Sequence, residues 1–79
     1  MHMDDLEKLH NRVLFMCLSE NIPDYATYLT VDSEGIVEWY EGEPEVGIVH
    51  WLIDKRECGF IGQLPYPPTV DWRDCVWKI

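Results

Sequence analysis

Acidic side chains dominate the chemistry open to this 79-residue chain. Glu20, Asp24, Asp32, Glu34, Glu38, Glu41, Glu43, Glu45 and Asp54 lie in the span from Val13 to Asp54, which holds no Lys or Arg. Most of them crowd between Asp32 and Glu45. Carboxylates packed this densely repel one another, and only counterions or a cationic partner relieve the strain. One reading is a surface that imitates nucleic-acid phosphates or clamps a basic groove. The other is a solvated face that keeps a small, apolar-rich chain in solution. Trp39 and Tyr40 sit inside the same block. As neighbours on a strand they face opposite ways, so one enters the core and the other stands among Glu38, Glu41 and Glu43. An exposed aromatic in that position suits an Arg-rich partner through cation–π contact. The residues expected to contact a partner are therefore Asp32, Glu34, Glu38, Trp39, Tyr40, Glu41, Glu43 and Glu45.

Other chemistries fare worse. Asp32-Ser33-Glu34-Gly35 offers two carboxylates beside a glycine, but a calcium loop needs more ordered ligands and a closing bidentate Glu. His50, Cys58 and Cys75 are acceptable zinc ligand types without a recognised spacing, and buried, inert cysteines are the commoner case. His50 with Cys58 is the one tempting nucleophile–base pair. It lacks an oxyanion turn, and surrounding acids disfavour a thiolate. Paired carboxylates for glycoside chemistry would need a cleft that so small a domain rarely holds. No phosphate-binding glycine loop is present. The expectation is a non-enzymatic protein with no metal and no cofactor.

The elements that must position these residues follow from periodicity. Residues 4–19 read as an amphipathic helix capped by Asp4 or Asp5. Leu6, Leu9, Val13, Met16 and Cys17 form its stripe, and Leu14, Phe15 and Leu18 widen it. Pro23 follows its end. Residues 25–31 and 36–41 are rich in β-formers and flank the turn Asp32-Ser33-Glu34-Gly35, which makes a hairpin. Residues 46–53 read as a third strand with apolar residues on both faces. Asp54-Lys55-Arg56-Glu57 is a charged turn, and residues 58–64 a fourth strand. Pro65-Tyr66-Pro67-Pro68 is an extended connector, because proline cannot donate to a ladder. Residues 69–79, with Trp72 and Trp77, form an aromatic tail that closes as a short helix or an edge strand. Trp51 and Trp72 read as core and tail anchors, Trp51 under the helix. The expected architecture is α+β: an N-terminal amphipathic helix packed on a four-stranded antiparallel sheet, with an aromatic C-terminal tail.

Bulk properties narrow the function classes. One domain spanning residues 1–79 is expected, with Met1-His2 read as a cloning remnant and a natural start at Met3. Fifteen acids against six bases give a net charge of −9. The pI is about 4.5. Direct nucleic-acid binding needs a basic face, so it is disfavoured, as are anionic membrane surfaces. No apolar run reaches the length of a membrane span, and the residues before the helix lack the basic, apolar, small-residue pattern of a leader, so no signal peptide is expected. The odd set Cys17, Cys58 and Cys75 argues against a disulfide framework and for a reducing compartment. The apolar surplus and the two-sided third strand suggest a homodimer through the helix or a sheet edge.

Two segments also carry a resemblance. Thr30-Val31-Asp32-Ser33-Glu34-Gly35-Ile36-Val37-Glu38-Trp39-Tyr40-Glu41-Gly42-Glu43-Pro44, with Trp51 downstream, resembles a hairpin of small bacteriophage accessory proteins. Val70-Asp71-Trp72-Arg73-Asp74, followed by Cys75, resembles the ending of the same group. The resemblance covers about a third of the chain and carries no catalytic residue. The amino-terminal helix falls outside it. It implies a host-takeover or counter-defence protein acting in the cytoplasm of an infected bacterium. The expected function is to bind and inhibit a basic host protein, a nucleic-acid-binding defence factor, as anti-CRISPR and anti-restriction proteins do. The alternative is a sponge for a small defence signal nucleotide, with bases stacked on Trp and Tyr and phosphates held by Arg56 and Arg73.

Overall fold

The computed structural model describes residues 4–52 and 56–79. Residues 1–3 and 53–55 fall outside that description. With them fall the reading of Met1-His2 as a remnant, Ile53 at the end of the expected third strand, and Asp54 and Lys55 of the charged turn.

Helix α1 spans Asp5–Leu18. Asp4 caps it, its carboxylate accepting the Glu7 N–H at 2.7 Å. Asp5 and Glu7 place further negative charge in the first turn, where the helix dipole favours it. The helix stops at Ser19, whose N–H still reaches the Met16 carbonyl. One stripe is buried: Val13 completely, with Leu6, Leu9, Met16 and Cys17 packed around it. The expected widening of that stripe does not occur. Leu14, Phe15 and Leu18 are 38, 73 and 82% exposed. A single sheet covers only one side of a lone helix, so its outer shoulder stays in water.

The fold is α+β. Strands β1 (Tyr28–Val31), β2 (Ile36–Tyr40), β5 (Cys58–Gln63) and β6 (Val76–Lys78) form a four-stranded sheet in the order β5-β2-β1-β6. All three pairings are antiparallel. The predicted hairpin is present as β1 and β2, with Val31 opposite Val37 and Tyr28 opposite Tyr40. β1 starts later than expected because Pro23–Ala26 forms a turn, closed by the Ala26 N–H on the Pro23 carbonyl at 3.0 Å. Gly35 takes φ of 83°, where a side chain would be strained. A Cβ there would also stand 3.0 Å from the Tyr66 carbonyl oxygen.

The expected third strand is the main correction. Residues 46–52 do not join the sheet. Instead Glu45–Val46 (β3) and Trp51–Leu52 (β4) pair with each other as a separate two-stranded hairpin. Gly47 interrupts the run, and its N–H on the His50 carbonyl at 3.0 Å closes the turn. The fourth place in the sheet goes to β6. The C-terminal segment is both things expected of it: a 3-10 turn at Trp72–Asp74, capped by Asp71, then an edge strand beside β1.

The core lies between α1 and one face of the sheet. Val13 meets Leu29, Val31, Val37, Ile61, Leu64 and Cys75 there, all buried. Each fully buried aliphatic of this kind is worth about 1.5–3 kcal/mol. A bulge sets Ile61 between the pairs Val37–Gly62 and Glu38–Phe60, and Ile61 still reaches the core at 3% exposure. His10 stacks on Trp77 with ring centroids 4.8 Å apart, tying the helix to the last strand. Among the described residues, no helix is long and apolar enough to cross a membrane.

Candidate functional site

Alternation along the strands sends every second residue to the sheet face away from α1. Thr30 on β1 and Ile36, Glu38 and Tyr40 on β2 lie on that side, because Leu29, Val31 and Val37 face the helix. The β3–β4 hairpin covers this second face. It is held down at two points: the Trp51 indole N–H donates to the Val31 carbonyl at 3.0 Å, and the Val49 carbonyl accepts the Ser33 hydroxyl at 2.6 Å and the Ser33 N–H at 3.3 Å. Trp51 also meets Trp72 edge-on at 5.9 Å. Trp51 is thus buried as expected, but against the second face rather than beneath the helix.

Between the hairpin and the sheet runs a cleft of about 460 Å³. Ile36, Val49, Trp51 and Leu52 supply its apolar walls, and Glu34, Glu38, Asp32, Tyr40, His50 and Cys58 its polar atoms. Glu34 is exposed at the rim, whereas Glu38 is half-buried. Burial raises the Glu38 carboxyl above its ordinary range. A hydrogen bond from Tyr40 pulls the other way, the Asp32 charge adds to the rise, and His50 opposes it. Burial and the Glu38 charge push the Tyr40 phenol far above the usual range.

The polar groups on this face are loosely satisfied. The Tyr40 hydroxyl lies 3.3 Å from Glu38 Oε1 and 3.4 Å from the Trp51 carbonyl, both long for an O–H donor. The Thr30 hydroxyl, directly across the ladder from Glu38, is fully buried and makes no well-formed hydrogen bond among the described residues, although it interacts with the Tyr40 phenol and opposes that group's upward shift.

The residues singled out from the sequence separate into two groups. Asp32, Glu34, Glu38 and Tyr40 come together at the cleft. Trp39, Glu41, Glu43 and Glu45 do not line it. Asp32 is 4% exposed, and its Oδ1 accepts the Glu34 and Ile36 N–H groups at 2.9 and 3.1 Å. It builds the turn rather than presenting charge. Glu41 accepts the Glu57 N–H at 3.2 Å. Glu43 and Glu45 are exposed. The expectation of one exposed aromatic among the acids fails. Tyr40 is 2% exposed, and half-buried Trp39 lies over Gly59 with its edge toward Tyr25 at 5.9 Å. Both rings find covered positions because β2 is an inner strand with packing on each face.

Sequence reasoning missed the apolar walls, Val49 and Leu52 above all. Gly47 inside the apolar run was the available signal that the run folds back on itself. The tempting pair His50 and Cys58 does share the cleft, but burial and Glu38 raise the Cys58 thiol, which disfavours the thiolate. Cys75 lies apart, buried in the core beneath the helix, its thiol pushed up to about 11. Among the described residues, no group of three His, Cys, Asp or Glu is placed to hold a metal ion. The one ion pair among them is Arg73–Asp71 at 2.9 Å, far along the chain from the acidic block.

No family model, curated protein or solved structure matches this chain.

Proposed function

We propose that this chain is a non-enzymatic binding protein that captures a basic partner on its acidic hairpin side. The observation that carries this reading is the state of the acids between Asp32 and Glu45. Glu34, Glu43 and Glu45 are exposed, and none of the block's carboxylates has an ion-pair partner among the described residues. Uncompensated charge of one sign steers a partner of the other sign and speeds encounter. The resemblance to phage accessory proteins supplies the biological setting. The partner is a host protein with a basic nucleic-acid groove, inhibited by occupation of that groove, and the place of action is the infected cell's cytoplasm. The nucleotide sponge gains no support from the cleft, because carboxylates at its rim and floor repel phosphate.

The test is affinity capture from bacterial lysate at low and high salt, with the wild type and with Glu34→Lys, Glu43→Lys and Glu45→Lys combined. These three side chains are exposed, so the fold should survive. A basic, nucleic-acid-binding protein should bind at low salt, leave at high salt, and be lost by the triple variant. Capture indifferent to both salt and variant would sink the reading.

A further inference from the structure

We propose that the cleft between the β3–β4 hairpin and the sheet is a seat for one lysine or arginine side chain of the basic partner. The inference rests on the proposed function and names the contact by which the partner is gripped. Three independent features converge on this ligand.

Shape and lining come first. Ile36, Val49 and Leu52 wall a cleft of about 460 Å³ with Glu38 set deeper than the rim. Lysine and arginine carry a long apolar stem under a charged head, so they match an apolar passage that ends on a carboxylate. A wholly apolar ligand would bury Glu38 with only the long Tyr40 contact to satisfy its carboxylate, and an anion would be repelled by it.

Unmet hydrogen bonding comes second. The Tyr40 hydroxyl makes only long contacts with Glu38 and the Trp51 carbonyl, and the buried Thr30 hydroxyl interacts with that same phenol without a well-formed bond. Buried polar groups normally find well-formed partners, and a spot where they are only weakly bonded can take up a further donor. A cation's N–H groups would bond the Glu38 carboxylate and the Trp51 carbonyl. That frees the Tyr40 hydroxyl from sharing itself between those two acceptors and lets it turn toward Thr30.

Charge comes third. Among the described residues no Lys or Arg lines the cleft, whereas Glu34 and Glu38 both do. Glu34 at the mouth draws a cation in, and half-buried Glu38 holds it where water screens the attraction less. The contact is a charge-assisted bond in a partly dry site, which is the kind that fixes affinity rather than encounter rate.

Binding of two capped peptides tests this by calorimetry: one alternating arginine with glycine, the other alternating lysine with glycine. The comparison sets Glu38→Gln against Glu43→Gln, an exposed acid outside the cleft. Glu38→Gln should weaken peptide binding about tenfold or more. Glu43→Gln should change it by no more than about twofold. Val49→Lys, which plants a cation at the mouth, should also weaken binding, and it keeps the proposal open to refutation should Glu38→Gln misfold. By NMR, the Glu38 carboxyl should titrate at lower pH with peptide bound than without. Equal losses for Glu38→Gln and Glu43→Gln would overturn the seat while leaving an acidic binding surface intact. Peptides that fail to bind a wild type that still captures its lysate partner would overturn the seat alone. Failure of both capture and peptide binding would overturn the seat together with the proposed function.

Discussion

The two faces of the β5-β2-β1-β6 sheet are built from alternate residues of the same strands, and they solve burial in opposite ways. Toward α1, Leu29, Val31 and Val37 meet Val13 in a dry core whose members need no hydrogen bonds. Toward the β3–β4 hairpin, Thr30, Glu38 and Tyr40 are covered by strands of two residues each. Their polar atoms make only long or poorly formed bonds. A helix of fourteen residues seals a face; a hairpin pinned through Trp51 and Ser33 only roofs one. Stability is concentrated on the first side and unsatisfied chemistry on the second. A binding site belongs where bonds remain to be made.

The largest test of this contrast is Leu29→Ala, which opens a cavity in the sealed face. It should cost about 3 kcal/mol in urea unfolding. A cost below about 1 kcal/mol would mean that the helix side is no tighter than the other.

Next comes the turn that joins the faces. Asp32→Ala strips the acceptor from two backbone N–H groups in a buried position and should cost about 2 kcal/mol. Glu34→Ala, two residues away and exposed, should stay within about 0.5 kcal/mol. Equal effects would deny Asp32 its structural role and return it to the surface charge.

The smallest expected effect concerns Glu38. Its carboxyl is raised in the folded chain, so the folded state holds that proton more tightly than the unfolded state. Between the ordinary Glu value and the raised one, stability therefore falls as pH increases. Glu38→Gln should be modestly more stable than wild type at neutral pH. The gap should shrink as pH drops through the raised value toward the ordinary Glu range. Parallel stability curves for the two proteins would show that the second face does not penalise the charge.

Much of the fold was legible because its signals are local. The Asp4 cap, the spacing from Leu6 to Cys17, and Gly35 between two β-rich runs each act within a few residues. What escaped depends on distant partners. Nothing within residues 46–53 tells that Trp51 will hand its indole N–H to Val31, or that β6 will claim the sheet position beside β1. The same holds for the candidate site. The acids were visible as composition, but whether each builds or binds depends on neighbours. Asp32 is consumed by its own turn and Glu41 by Glu57, while Glu38 is left facing a cleft whose walls come from a segment that folds back on itself instead of joining the sheet. The alternation of Trp39 and Tyr40 predicts one core and one solvent ring, but on an inner strand with packing on each face both are at least half covered.

The placement of β6 has a kinetic consequence. β1 pairs with β2 across a short turn, but with β6 across most of the length of the chain. Closing that distant pairing spends chain entropy before its contacts give any return. The β1–β2 hairpin is the natural early structure, with β6 docking afterwards and His10 stacking on Trp77 to fasten it. Changes in the hairpin should then slow folding, whereas changes in β6 should mainly hasten unfolding. The strand that completes the sheet is in this sense its latch, and it sets how long the protein stays folded more than how fast it gets there.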